Sequence, residues 1–163
     1  MPLTGQSEKL EKSWFLRHPK MIQPVTDLSI FVRPATEDDS AILRTHRELS
    51  RQEATQYRGS VLKSSTDVLP GFTLVAGVGS TVMGSLVSTP SETNTWAIEF
   101  VFVDPACREI GIGDGLVIAA LHELVQRKAS WVQSSAMPGD RAMKNLFERH
   151  GLVAQTIIVG KKL

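Results

Sequence analysis

From Ser29 onward the apolar residues switch between two periods, one suited to strands and one to helices. Ile30 to Arg33 predicts a short strand ended by Pro34. Thr36 then caps a helix, with Glu37 and Asp38 in its first turn and Asp39 three residues on. Ile42, Leu43, His46 and Leu49 give that helix one mostly apolar face, and a polar helix-loop stretch runs from Gly59 to Asp67. Phe72–Val78 and Thr81–Ser88 are rich in Val, Leu and Thr and are separated by Gly79-Ser80, a good hairpin turn. After the turn-forming Pro90 to Asn94, Trp96–Val103 predicts a third strand of this group. Beyond Gly113 the period becomes helical, with Leu116, Ala120, Leu121, Leu124 and Val125 on one face as far as Lys128. Trp131–Ala136 predicts a strand, Asp140–His150 a helix capped by Asp140 and stopped by Gly151, and Val153–Val159 a last strand. The order β, α, β, β, β, α, β, α, β predicts an α/β fold with helices on a mixed sheet.

This pattern covers residues 29–163 as a single domain. Residues 1–28 read as an N-terminal extension, with Trp14, Phe15 and Leu16 among mixed charges before Pro19 and Pro24. They form either a short docking helix or arm, or a loosely attached leader. A chain of 163 residues suffices for one well-filled core. The net charge of +1 supplies no global field for nucleic acid or a membrane surface. Cys107 is the only cysteine, so no internal disulfide forms, which favours a reducing compartment. No apolar run is long enough to span a bilayer, and the N-terminus lacks an apolar signal core. The expectation is a cytoplasmic protein.

Candidate chemistry concentrates between Val103 and Gly115, where a strand ends and a turn holding Gly111 and Gly113 opens directly into a helix. Glycines there allow close backbone approach to a ligand, and the N–H groups of a first helical turn suit a phosphate. Arg108 adds a nearby cation. A Walker loop would need Gly-Lys-Ser/Thr, which is absent, and a dinucleotide fingerprint would want a small residue where Leu116 stands. A tight strand-to-helix turn without a ligand remains the competing reading.

The stretch Ile98–Gly113 resembles the cofactor motif of the GNAT superfamily: Arg or Gln, two residues, Gly, one residue, then Gly or Ala. It falls here on Arg108, Gly111 and Gly113, preceded by Val103 and Pro105. Downstream, Asn145 to Gly151 resembles that family's later helix. The resemblance implies an acyl-CoA N-acyltransferase fold, with a splayed mixed sheet flanked by helices. Strands Trp96–Val103 and Trp131–Ala136 would diverge, with pantetheine in the wedge paired to backbone near Val101 and Val103. The pyrophosphate would rest on N–H groups of Glu109, Ile110, Gly111, Ile112, Gly113 and Asp114. The implied reaction is direct transfer of acetyl from acetyl-CoA to a primary amine, a small molecule for preference, with no metal. The alternative is a coenzyme-A-binding sensor without turnover.

Glu99 is the candidate base. Its neighbours Ile98, Phe100 and Val101 are apolar, which predicts a desolvated carboxylate with a raised pKa; a carboxylate in solvent or paired across strands is the alternative. Asn145 is a candidate partner for the pantetheine amides. Phe147 stands where many relatives carry a proton-donating tyrosine, and phenylalanine has no proton to give. Tyr57 is the sole tyrosine available as a substitute. Asp114 departs from the motif by placing a negative charge beside the expected pyrophosphate. Cys107 reads as a bystander, His150 as a helix-end cation, and Lys144 and Arg149 as solvated charges. Glu48, Glu53 and Asp67 would face a cationic acceptor or simply solvent. The last strand would leave an open edge, which predicts a homodimer that covers it.

Overall fold

The computed structural model describes residues 29–57, 71–157 and 159. The expected extension 1–28 and the polar stretch Gly59 to Asp67 lie outside the described residues. The elements are β1 (Ile30–Pro34), α1 (Ser40–Ala54), β2 (Phe72–Val78), β3 (Thr81–Glu92), β4 (Thr95–Val103), α2 (Ile112–Gln126), β5 (Trp131–Ser134) and α3 (Arg141–Arg149). They build one mixed sheet in the order β1-β2-β3-β4-β5. The first four strands are antiparallel neighbours, and β5 runs parallel to β4.

Local sequence explains the boundaries. At the start of the first helical segment, Asp39 accepts from the Thr36 N–H at 2.8 Å, and a short 3-10 turn over Glu37–Asp39 leads into α1. The β2–β3 hairpin turns on Gly79, whose φ of +62° suits glycine. The segment expected as a turn at Pro90 to Asn94 is shorter than that. β3 continues to Glu92, with its register irregular between Pro90 and Glu92, because Pro90 lacks the N–H for a regular ladder. Asn94, at φ +58°, makes the reversal. β5 stops at Ser134 rather than Ala136, and Pro138 follows in the connection to α3. α3 begins where the Asp140 carboxylate accepts from the Met143 N–H at 2.9 Å.

The main core lies between one face of the sheet and α2 and α3. Leu74, Ala76, Leu86, Ile98 and Val101 pack there against Ile112, Leu116, Val117, Ala120, Leu146 and Phe147. Val117 takes an inward position on α2, whereas Val125 is exposed. On the opposite face α1 packs through His46, whose Nδ1 lies 2.9 Å from Ser85 Oγ and whose ring lies 4.8 Å from that of Phe102.

The expected last strand is not found. Residues 152–157 and 159 carry no strand, and Val153, Ile157 and Val159 are exposed. Apolar alternation alone does not make a strand; a ladder partner is required, and β5 pairs with β4 alone among the described residues.

Candidate active site

The site begins with an interruption in pairing. β5 matches β4 only from Thr95↔Trp131 to Ile98↔Ser134. The Ser134 hydroxyl donates to the Ile98 carbonyl at 2.8 Å, closing this short ladder. β4 continues through Glu99 to Val103 with no strand on its β5 side among the described residues. The parallel pairing therefore ends where β5 ends, at Ser134, and the β5 side of β4 stays open beyond Ile98 among the described residues.

The register on the other side of β4 places a bulge at the same point. Phe100 opposes Val87 and Ile98 opposes Ser88, so Glu99 has no partner. The extra residue changes which positions face the core: Ile98 enters it before the bulge and Val101 after it. Val101 is buried and Val103 half-buried. Glu99 is exposed, and its Oε1 accepts from the Thr89 hydroxyl at 3.0 Å. The expected desolvation by Ile98, Phe100 and Val101 is not met, because the bulge turns the carboxylate away from the apolar faces its neighbours occupy.

Below β4 the chain passes through a 3-10 turn at Pro105–Cys107 and reaches the glycine segment. Glu109 has φ +69° and Gly111 φ +98°, two left-handed residues flanking Ile110. The first N–H with a helical acceptor is that of Gly115, on the Gly111 carbonyl at 2.9 Å. Those of Ile112, Gly113 and Asp114 precede it and head the helix without such acceptors. This donor set fits a phosphate, combining free backbone N–H groups with the positive end of a helix of 15 residues. A Cβ on Gly113 would meet Leu146 at 3.4 Å and Val103 at 3.6 Å. The Cβ direction of Gly113 thus points at the side chains of Leu146 and Val103 at ordinary contact distance.

Arg108 departs from expectation. Its Nε donates to the Val103 carbonyl at 3.0 Å, and its Nη2 reaches both oxygens of Glu53 at 2.6 and 2.8 Å. The guanidinium is engaged by a carboxylate of the last turn of α1 and is not a free cation for phosphate. Glu53 is accordingly no free acidic surface, and Glu48 lies 3.6 Å from Arg51. Asp67 lies outside the described residues.

The Asp114 charge is also answered. Arg149 donates to it at 3.1–3.2 Å and His150 Nε2 lies 2.8 Å from Oδ1, so the start of α2 is tied to the end of α3. Burial raises the Asp114 pKa, but the His150 hydrogen bond and the Arg149 charge outweigh it and hold the carboxyl below its ordinary value. His150 stands at the end of α3 and is buried, with Nδ1 lacking a hydrogen-bond partner. No sequence signal marked this pairing, since Asp114 and His150 are 36 residues apart. Asn145 is exposed on α3 and, with Glu148 and Arg149, lines a surface groove of about 430 Å³. Phe147 is buried in the core. Lys144 pairs with Glu148 at 2.7 Å. Cys107 is half-buried against the core. Tyr57 lies beside Gly139, within 3.8 Å of where a Cβ would stand. Among the described residues, no group of His, Cys, Asp and Glu is arranged to hold a metal, and no helix is long and apolar enough to cross a membrane.

The family model described as Acetyltransferase (GNAT) family matches residues 38–152, and the chain belongs to that family. Solved structures agree on the fold. An aminoglycoside acetyltransferase, meta-AAC0020, from an uncultured soil metagenomic sample is 15% identical, with TM-score 0.62 over 82% of this chain and 95% of that one. Aminoglycoside N-acetyltransferase AAC(6')-Iy in complex with CoA is 14% identical, with TM-score 0.60 over 82% and 100%. The ribosomal-protein-alanine N-acetyltransferase of Brucella melitensis biovar Abortus 2308 is 14% identical, with TM-score 0.61 over 82% and 97%. No curated protein matches the chain.

Proposed function

We propose that this chain is an acetyl-CoA-dependent N-acetyltransferase that acetylates a primary amine, with a small molecule as the preferred acceptor class. The observation that carries this reading is the four-residue β4–β5 pairing, after which β4, still paired to β3, runs toward the glycine turn of α2 with no strand on its β5 side among the described residues. Pantetheine would add to the free side of β4 near Val101 and Val103, as an extended ligand pairs with an exposed strand. The pyrophosphate would take the N–H groups from Glu109 to Asp114, including Ile110, Gly111, Ile112 and Gly113. Asn145 would meet the coenzyme from α3.

Glu99 is proposed as the base. In the bulge, its exposed carboxylate can reach an incoming ammonium directly or through one water. The amine nitrogen then attacks the thioester carbon, the carbon–sulfur bond breaks, the nitrogen releases its second proton to solvent, and the thiolate takes a proton from solvent. Solvent is assigned this step because Phe147 is buried and has no proton to donate. The same observation favours a second reading, a coenzyme-A-binding sensor with little or no turnover. Exposed apolar residues beyond α3 and the side of β5 that is unpaired among the described residues support a homodimer, and the reading keeps the cytoplasm as the site of action.

Isothermal titration of acetyl-CoA and CoA into the wild type and Gly111→Trp tests the coenzyme. Micromolar binding lost in the variant is expected; no binding by folded wild type would remove the proposal. Thiol release from acetyl-CoA with a panel of amines separates enzyme from sensor, and Glu99→Gln should lower kcat by about 10²-fold or more.

A further inference from the structure

Arg108 and Glu53 meet across 55 residues of sequence, and their contact joins α1 to the turn that opens α2. The arginine is fixed from two sides. Its Nε–H is committed to the Val103 carbonyl at the end of β4, and its Nη2 to the two Glu53 oxygens. Glu53 is the more sheltered partner, with its side chain 31% exposed against 43% for Arg108. The next residue after Arg108 is Glu109, a non-glycine at φ +69°, and Gly111 at φ +98° follows two positions later. A non-glycine residue in this backbone region persists when its surroundings over-determine it. Alternating left-handed residues are also what point successive N–H groups into one concavity suited to an anion.

We propose that Glu53 is a positioning residue for the phosphate-binding turn: held by Glu53, Arg108 fixes the backbone of Glu109–Gly113 in its donor geometry from α1. Glu53 touches no substrate in this scheme and acts through Arg108. The inference rests on the coenzyme reading above. It reverses the simple view of Arg108 as a phosphate cation, for which Glu53 would be a competitor. The two views predict opposite signs. If Glu53 masks the cation, removing its charge strengthens coenzyme binding; if it positions the turn, removal weakens it.

The test is isothermal titration of free CoA into the full chain for wild type, Glu53→Gln, Glu53→Asp, Arg108→Gln and the double variant Glu53→Gln/Arg108→Gln. Glu53→Gln is expected to weaken CoA binding about tenfold, with Glu53→Asp recovering part of it. The double variant should bind like Arg108→Gln alone, because the glutamate acts only through the arginine. Thermal melts identify any variant that fails to fold, and Glu53→Asp then carries the comparison. Unchanged or tighter binding by folded Glu53→Gln, or additive losses in the double variant, would overturn the inference while leaving the coenzyme reading intact. Absence of CoA binding by folded wild type would instead sink that reading.

Discussion

Arg33 donates through two nitrogens to the two oxygens of Asp39, at 2.7 and 2.9 Å, while the Thr36 N–H donates to the same carboxylate. These bonds, the arginine's foremost, hold the Asp39 carboxyl well below the usual carboxylate range. Its contribution is therefore complete above an unfolded pKa of about 4 and is lost as pH falls toward the depressed folded value. Asp39→Asn should cost about 2 kcal/mol in urea denaturation at neutral pH, at the lower end for a paired carboxylate because Arg33 is partly exposed. His46 gives the pH dependence near neutrality. Burial lowers its pKa, partly opposed by the Asp104 charge. Both folded and unfolded histidine are neutral above about pH 6.5, so stability should fall as pH drops below that value, where the unfolded chain protonates first. It should level off once pH passes the lower folded value. The urea midpoint of His46→Gln should be flatter over this range; an unchanged slope would show that another group titrates.

The two glycines that open α2 look equivalent in the motif but answer to different physics. Gly111 sits at φ +98°, where a side chain is strained, so Gly111→Ala should cost about 1–2 kcal/mol and disturb the turn. Gly113 lies within the first turn of α2, with only ordinary contacts awaiting a Cβ, so Gly113→Ala should be neutral or stabilising by up to about 1 kcal/mol. Thermal melts of the two variants check this, and equal losses would contradict it. At this scale the sequence was largely readable. Periodicity located β2 at Phe72–Val78, and capping residues located the 3-10 turn that leads into α1 and the start of α3. What escaped was tertiary. A bulge at Glu99 depends on the register of two strands, which no local pattern encodes. The attachments of Arg108 to Glu53 and of Asp114 to His150 join residues that only the folded chain brings together.

Across the whole molecule, the antiparallel neighbours β1–β4 form a continuous sheet, whereas β5 contributes four residues and leaves its outer side unpaired among the described residues. A strand left in this way presents ladder donors and acceptors to any second chain. Trp131 on β5 is exposed, and so are Val125 on α2 and Val153, Ile157 and Val159 beyond α3. Burying such side chains contributes about 1.5–3 kcal/mol each, which on both copies together works against the cost of association. This bears on the proposed reaction, because β5 ends beside the open stretch of β4 and a partner strand would steady it. Sedimentation of the wild type should give a dimer, and Trp131→Lys and Ile157→Lys should each weaken it at least tenfold while leaving the melting temperature of the monomer nearly unchanged. A wild type that sediments as a monomer at micromolar concentration would mean that β5 stands as an edge in solution, with its four pairs to β4 enough to hold the wedge open.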